Sequence, residues 1–176
     1  MKFLVTLTTA LLCLTSAVSA IKNTTREFHL KTKVIKSTHQ TAKFNNLYLY
    51  SYHTGAGLSD ACFDTQPISN GNGIAFYNRT GTTVIFQLSD DFPWGLSLTY
   101  DAMYNQWASV TINGGEGQNE WKFNGSGLVS TNEQWGGWMV CDWAHGVPQL
   151  FWRMSYYLSG SLPSSCGTVQ LIPEYI

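Results

Sequence analysis

The stretch Leu47-Tyr48-Leu49-Tyr50-Ser51-Tyr52 decides the fold class, because its residue types alternate strictly with a period of two. Successive side chains of a β-strand point to opposite faces, so the two leucines should lie on one face and the three tyrosines on the other. Alternating, β-branched or aromatic runs of this kind recur along the chain. No window carries apolar residues at i, i+3, i+4 and i+7 over three helical turns. The pattern predicts an all-β protein.

About twelve short strands are predicted, separated by segments rich in Gly, Asn, Asp and Ser. They lie near residues 27–35, 46–52, 60–64, 74–77, 82–88, 95–100, 108–112, 120–123, 127–130, 138–143, 149–155 and 168–171. So many short strands must stack or close on themselves, because an open sheet would leave its edges exposed. We expect one domain, a β-sandwich or closed β-barrel of about 11–12 mostly antiparallel strands, with a β-trefoil as the alternative.

The first twenty residues have the pattern of a secretory signal peptide. Lys2 is followed by an apolar run, residues 3–14, and then by the small residues that end at Ala20. The run is shorter than the roughly 20 residues that span a bilayer. We therefore expect a signal peptide at 1–20, a single all-β domain at 21–176, and a secreted protein that is extracellular or in the cell wall. No lipid-anchor signal is expected at residues 169–176.

Charge and composition narrow the function classes. Charged residues make up 12% and aromatic residues 14% of the chain, which excludes a disordered, solvated protein. Basic residues concentrate in 21–43, but Lys31 and Lys33 alternate along a predicted strand and are explained as its solvated face. We therefore expect no nucleic-acid partner.

The cysteines predict one disulfide. Of the four in the chain, Cys13 lies in the signal peptide, which leaves Cys62, Cys141 and Cys166. Cys141 and Cys166 are the expected pair, and closing their loop should stabilise the fold by about 3–4 kcal/mol. Cys62 is expected to be a buried free thiol, with an intermolecular disulfide as the alternative. Neither metal-ligand spacing nor a cofactor motif is present.

Three Asn-x-Ser/Thr sequons begin at Asn23, Asn78 and Asn124. Asn124-Gly125 is a hairpin-turn dipeptide, and Asn78 begins a turn that ends at Gly81. Such turns tolerate a bulky glycan, so N-glycosylation is predicted at all three.

Aromatic residues supply the candidate ligand site. All seven tryptophans follow residue 93, and two of them flank a glycine pair in Trp135-Gly136-Gly137-Trp138. If this segment is an exposed loop, its indoles could stack on sugar rings together with Trp143. The alternative is that the tryptophans fill the core.

Two polar turns could together line one pocket. One is Cys141–Gln149, which contains Asp142 and His145; the other is Tyr52–Gly57. The alternative is that such side chains hydrogen-bond local backbone and fix the loops. No nucleophile or metalloprotease motif is present, which favours a non-catalytic protein. A glycoside-active enzyme would need two carboxyl groups about 5–9.5 Å apart.

The same segments resemble a known family. Residues 52–61, 91–96 and 141–151 are similar to a domain of unknown function in secreted proteins of filamentous fungi, and the resemblance covers about 26–176. More distantly, the hairpin at 121–128 with Cys141 and Cys166 resembles fungal cell-wall proteins of spore-bearing cell (phialide) development. The resemblance implies an extracellular or cell-wall setting and carries over no catalytic residue.

Two functions follow as expectations. The first is a cell-wall-associated protein that binds polysaccharide weakly through Trp135, Trp138 and Trp143, with Asp142 and His145 orienting the site. The second is a secreted, effector-like interaction protein that binds an extracellular partner protein. In both cases we expect a monomer that does not insert into a membrane.

Overall fold

The computed structural model describes residues 26–100 and 106–176. The expected signal peptide, Cys13 and the sequon at Asn23 lie outside these ranges. Within them there is no α-helix, only strands and three single 3₁₀ turns at Ala42–Phe44, Gly71–Gly73 and Ser155–Tyr157. No helix in the described part of the chain is both long and apolar enough to cross a membrane.

Residues 26–100 and 106–176 form twelve strands, one for each predicted strand. Their bounds are β1 Phe28–Val34, β2 Tyr48–Gly55, β3 Leu58–Asp64, β4 Ala75–Asn78, β5 Thr83–Phe86, β6 Trp94–Leu98, β7 Trp107–Gly114, β8 Trp121–Asn124, β9 Gly127–Ser130, β10 Trp135–Asp142, β11 Pro148–Met154 and β12 Cys166–Tyr175. All hydrogen-bonded pairs of these strands are antiparallel, and one isolated parallel bridge joins Trp94 to Gly115. The all-β, antiparallel prediction is confirmed.

The main sheet closes on itself. Its strand order is β10-β12-β1-β2-β3-β11-β7-β6-β5-β4, with further pairings β10–β11, β1–β4 and β3–β7 that join strands distant in this order. In the described ranges these pairings close the sheet into a β-barrel. Closure removes the exposed sheet edges that an open sheet of this size would have. Of the architectures that the sequence left open, the chain forms the barrel.

Alternation along the strands builds the core. Leu49 of β2 is fully buried inside the barrel, while Tyr48 and Tyr50 lie on the outer face, as the opening stretch predicted. The interior also holds two large stacked indoles, Trp121 and Trp138, whose ring centroids are 5.6 Å apart. The indole N–H groups of Trp121, Trp138 and Trp152 donate to backbone carbonyls, so burial leaves these three donors paired.

The disulfide prediction is confirmed. Cys141 of β10 and Cys166 of β12 are direct register partners and are bonded to each other. Cys62 is a buried free thiol, also as predicted. Burial is the main reason that the pKa of Cys62 rises from 9.0 to about 12.

The β8–β9 hairpin is a separate two-stranded sheet that packs on β12. Gly127, at the start of β9, has φ of 91°. A Cβ at this position would lie 2.1 Å from the carbonyl oxygen of Leu171. The hairpin therefore approaches β12 closely because residue 127 is glycine.

Candidate functional site

The five predicted ligand residues do not form one surface. Trp135 is the first residue of β10, whereas Asp142 ends that strand and Trp143 follows it. A strand advances by about 3.3 Å per residue, so the two indoles are separated by roughly 25 Å. The expected joint platform of Trp135, Trp138 and Trp143 is therefore not present.

Trp138 is a core residue, which corrects the expectation that it faces solvent. It is 2% exposed, and its indole N–H donates to the Leu128 carbonyl at 2.6 Å. The glycine pair before it forms an irregularity inside β10 instead of a loop, with a register shift between Trp135 and Trp138 and φ of 121° at Gly137. Residues three apart in a regular strand face opposite sides. The bulge brings both indoles to the core side, with centroids 5.6 Å apart.

Trp135 lines a cleft of about 410 Å³ between the β8–β9 hairpin, the start of β10 and β12. The indole is half-buried and packs against the barrel core. Leu128, Val129 and Leu158 complete an apolar wall. Gly136 permits this arrangement, because a Cβ there would lie 3.0 Å from the backbone of Ser155.

Polar side chains surround that wall. Ser126, Gln170 and Arg153 also line the cleft. The Arg153 guanidinium is held in place by the carbonyl of Leu158 at 3.0 Å. An aromatic and aliphatic wall with a few amide, hydroxyl and guanidinium groups can bind a ligand that has both apolar faces and hydroxyl groups. The volume of the cleft, about 410 Å³, falls within the range of small-molecule sites, about 300–1,000 Å³.

His145 belongs to a different cluster, at the far end of β10. Its Nε2 lies 2.7 Å from Oδ2 of Asp60, and its ring stacks on Tyr52 with a centroid distance of 4.3 Å. The structure thus brings together the two polar turns, Tyr52–Gly57 and Cys141–Gln149, that the sequence suggested could line one pocket. In the described ranges no serine, threonine or cysteine side chain hydrogen-bonds to His145. The arrangement fixes the β10–β11 turn onto the β2–β3 hairpin and supplies no activated nucleophile.

Asp142 and Trp143 lie beside this cluster. Asp142 forms an exposed ion pair with Lys43. Trp143 is 40% exposed and packs edge-to-face on Phe151, with centroids 5.3 Å apart. Asp142 is therefore paired with a lysine of the 3₁₀ turn Ala42–Phe44, and it lies far from the Trp135 cleft.

Two clusters of side chains were not predicted from the sequence. Asp60 lies in one of the segments that carry the family resemblance, but nothing in the sequence linked it to its partner His145, which is 85 residues away. A second cavity is lined by Arg26, Arg79 and Lys122, which are scattered along the chain. Among the described residues no group of three or more His, Cys, Asp and Glu side chains could hold a metal ion.

Comparison with known proteins places the chain in an uncharacterised group. The family model described as a domain of unknown function (DUF7907) matches residues 25–175. Probable ABC transporter permease proteins of Brucella abortus and Brucella suis are each 34% identical to it over 96 residues, which cover 54% of this chain and 31% of each relative. The chain thus spans about a third of the length of these curated relatives. No solved structure matches.

Proposed function

Because the chain belongs to the DUF7907 family of domains of unknown function, we propose its function from its geometry: a secreted, non-catalytic, cell-wall-associated or extracellular protein that binds polysaccharide weakly. The observation that carries the proposal is the cleft of about 410 Å³ beside Trp135. The binding residues are those of the cleft, and Trp143 is not among them.

The chemistry of the cleft suits a neutral sugar ring. The C–H face of a sugar is apolar and stacks on an indole, while its hydroxyl groups need donors and acceptors at the rim. Trp135 provides the stacking face, and Gln170 and Ser126 provide polar atoms beside it. One stacked ring with one or two hydrogen bonds should give micromolar to millimolar affinity, about −4 to −8 kcal/mol.

Secretion is supported by two features. The signal-peptide pattern ends at Ala20, and the Cys141–Cys166 disulfide is compatible with an oxidising compartment. Sequencing the N-terminus of protein recovered from the medium should give Ile21. Recovery of the chain only inside cells, with Met1 retained, would contradict secretion.

Calorimetric titration with β-1,3-glucan and chitin hexasaccharides tests the binding proposal. Trp135→Ala should weaken binding at least about tenfold, a loss of about 1.4 kcal/mol. Since Trp135 also packs on the core, Gln170→Ala provides a second variant that changes only the rim. Trp143→Ala is the matched control, because it removes an exposed indole far from the cleft. Loss of binding in Trp143→Ala, with full binding in Trp135→Ala, would place the site elsewhere.

One observation favours a second candidate, a protein-binding surface. Tyr156, Tyr157 and Leu158 are consecutive and are 70%, 43% and 47% exposed. Exposed apolar residues in one group mark protein-interaction sites. If this surface binds an extracellular protein, neither hexasaccharide should bind, and Tyr156→Ser should reduce capture of that partner.

A further inference from the structure

A second cavity lies at another part of the barrel and shares no lining residue with the Trp135 cleft. Its volume is about 780 Å³. The start of β1, the end of β4, the β8–β9 hairpin and the end of β12 form its walls. It collects residues from four separate parts of the chain.

The charge of this cavity has one sign. Arg26, Arg79 and Lys122 line it, and no acidic side chain among the described residues does. None of the three forms an ion pair within the described ranges. The Arg26 guanidinium lies over the ring of Tyr175, 4.4 Å from its centroid. Three cations that share a concave surface without carboxylates attract an anion.

The floor of the cavity is aromatic and fixed. Phe123 packs edge-to-face on Phe28 and on Tyr77, with centroid distances of 5.4 and 5.5 Å. The Tyr77 hydroxyl donates to the Trp121 carbonyl at 2.7 Å, which sets the orientation of its ring. A ligand would thus meet a preformed apolar surface with positive charges around it.

We propose that this cavity, lined by Arg26, Arg79, Lys122 and the aromatic floor, binds an acidic saccharide through its anionic group. A carboxylate or sulfate can accept charge-assisted hydrogen bonds from the guanidinium and ammonium groups, while the sugar ring rests on the aromatic side chains. The neutral-sugar site at Trp135 and this site are independent, so either can fail without the other.

Calorimetric titration of the full mature protein tests the proposal, with tetragalacturonate and the neutral cellotetraose as probes. Tetragalacturonate should bind, and more weakly at about 0.3 M than at about 0.03 M salt, because exposed charges are screened. Cellotetraose should not compete for this site. Arg79→Gln and Lys122→Gln should each weaken tetragalacturonate binding about five- to tenfold. Arg79→Gln leaves the Asn78 sequon intact.

Lys33→Gln is the matched control, since it removes one exposed cation of β1 that does not line the cavity. It should bind tetragalacturonate with unchanged affinity. Equal weakening by all three substitutions would show non-specific attraction and overturn the proposal. Full binding in both Arg79→Gln and Lys122→Gln would also overturn it. Trp135→Ala should leave tetragalacturonate binding unchanged, because Trp135 does not line this cavity. This variant therefore distinguishes failure of this site from failure of the neutral-sugar site at Trp135.

Discussion

Cys62 shares one row of outward-facing residues with the disulfide. Across the sheet, Tyr50 pairs with Cys62, Cys62 with Gln149, and Gln149 with Cys141. Two strand spacings of about 4.8 Å therefore separate Cys62 from Cys141. Bridged cysteines need Cα atoms within about 7 Å. Cys62 thus lies near the disulfide yet too far to exchange with it while the barrel is intact.

The Cys62 thiol should be unreactive in the native protein. Its pKa is raised from the ordinary 9.0 of a thiol to about 12, chiefly because burial disfavours the thiolate. At pH 8 only about one molecule in 10,000 carries the reactive thiolate. A coloured disulfide reagent should therefore label no thiol in native protein at pH 8 and one in guanidinium. Rapid labelling of native protein at Cys62 would contradict its burial.

The Asp60–His145 pair should stabilise the fold modestly. Both side chains are partly buried, with 27% and 23% exposure, and Nε2 lies 2.7 Å from Oδ2. A double-mutant cycle with Asp60→Ala and His145→Ala should give a coupling energy of about 1 kcal/mol in urea unfolding. His53→Ala, an exposed histidine of the nearby β2–β3 hairpin, should change stability by less than about 0.5 kcal/mol. A coupling energy of zero would show that the contact is not stabilising.

At the scale of elements, local patterns predicted the strands and could not predict their partners. All twelve strands appear near their predicted positions because alternation is a local property. Barrel closure depends on pairings such as Phe28 with Tyr175, for which no short-range signal exists. The Gly136-Gly137 pair was interpreted as a loop because glycine is favoured in turns and in bulges alike. The candidate cleft depends on that distinction, so its residues were only partly predicted.

The β8–β9 hairpin offers a matched pair of glycine substitutions. A Cβ at Gly127 would lie 2.1 Å from the Leu171 carbonyl oxygen, whereas one at Gly125 would meet nothing within 4 Å. Gly127 also has φ of 91°, a conformation that favours glycine. Gly127→Ala should lower the free energy of unfolding by at least about 2 kcal/mol. Gly125→Ala, in the same turn, should lower it by less than about 0.5 kcal/mol. Equal effects in denaturant titrations would contradict close packing of the hairpin on β12.

For the whole molecule, the disulfide contributes by restricting the unfolded chain. Cys141 and Cys166 are separated by 25 positions. In the chain-entropy relation, replacing both by Ala should cost about 3–4 kcal/mol. For a domain of this size that corresponds to a melting temperature roughly 7–14 °C lower. A calorimetric scan that shows no decrease in melting temperature would contradict this contribution of the disulfide.

The pairing of β1 with β12 also determines how the barrel responds to mechanical force. Phe28 lies opposite Tyr175, so the two ends of the described barrel meet at the same end of an antiparallel ladder of seven residue pairs. A force that separates these ends acts along the hydrogen bonds, which run perpendicular to the strands. It breaks the bonds one after another instead of loading them together in shear. A barrel tethered by its two ends therefore opens by peeling β1 from β12 at low tension.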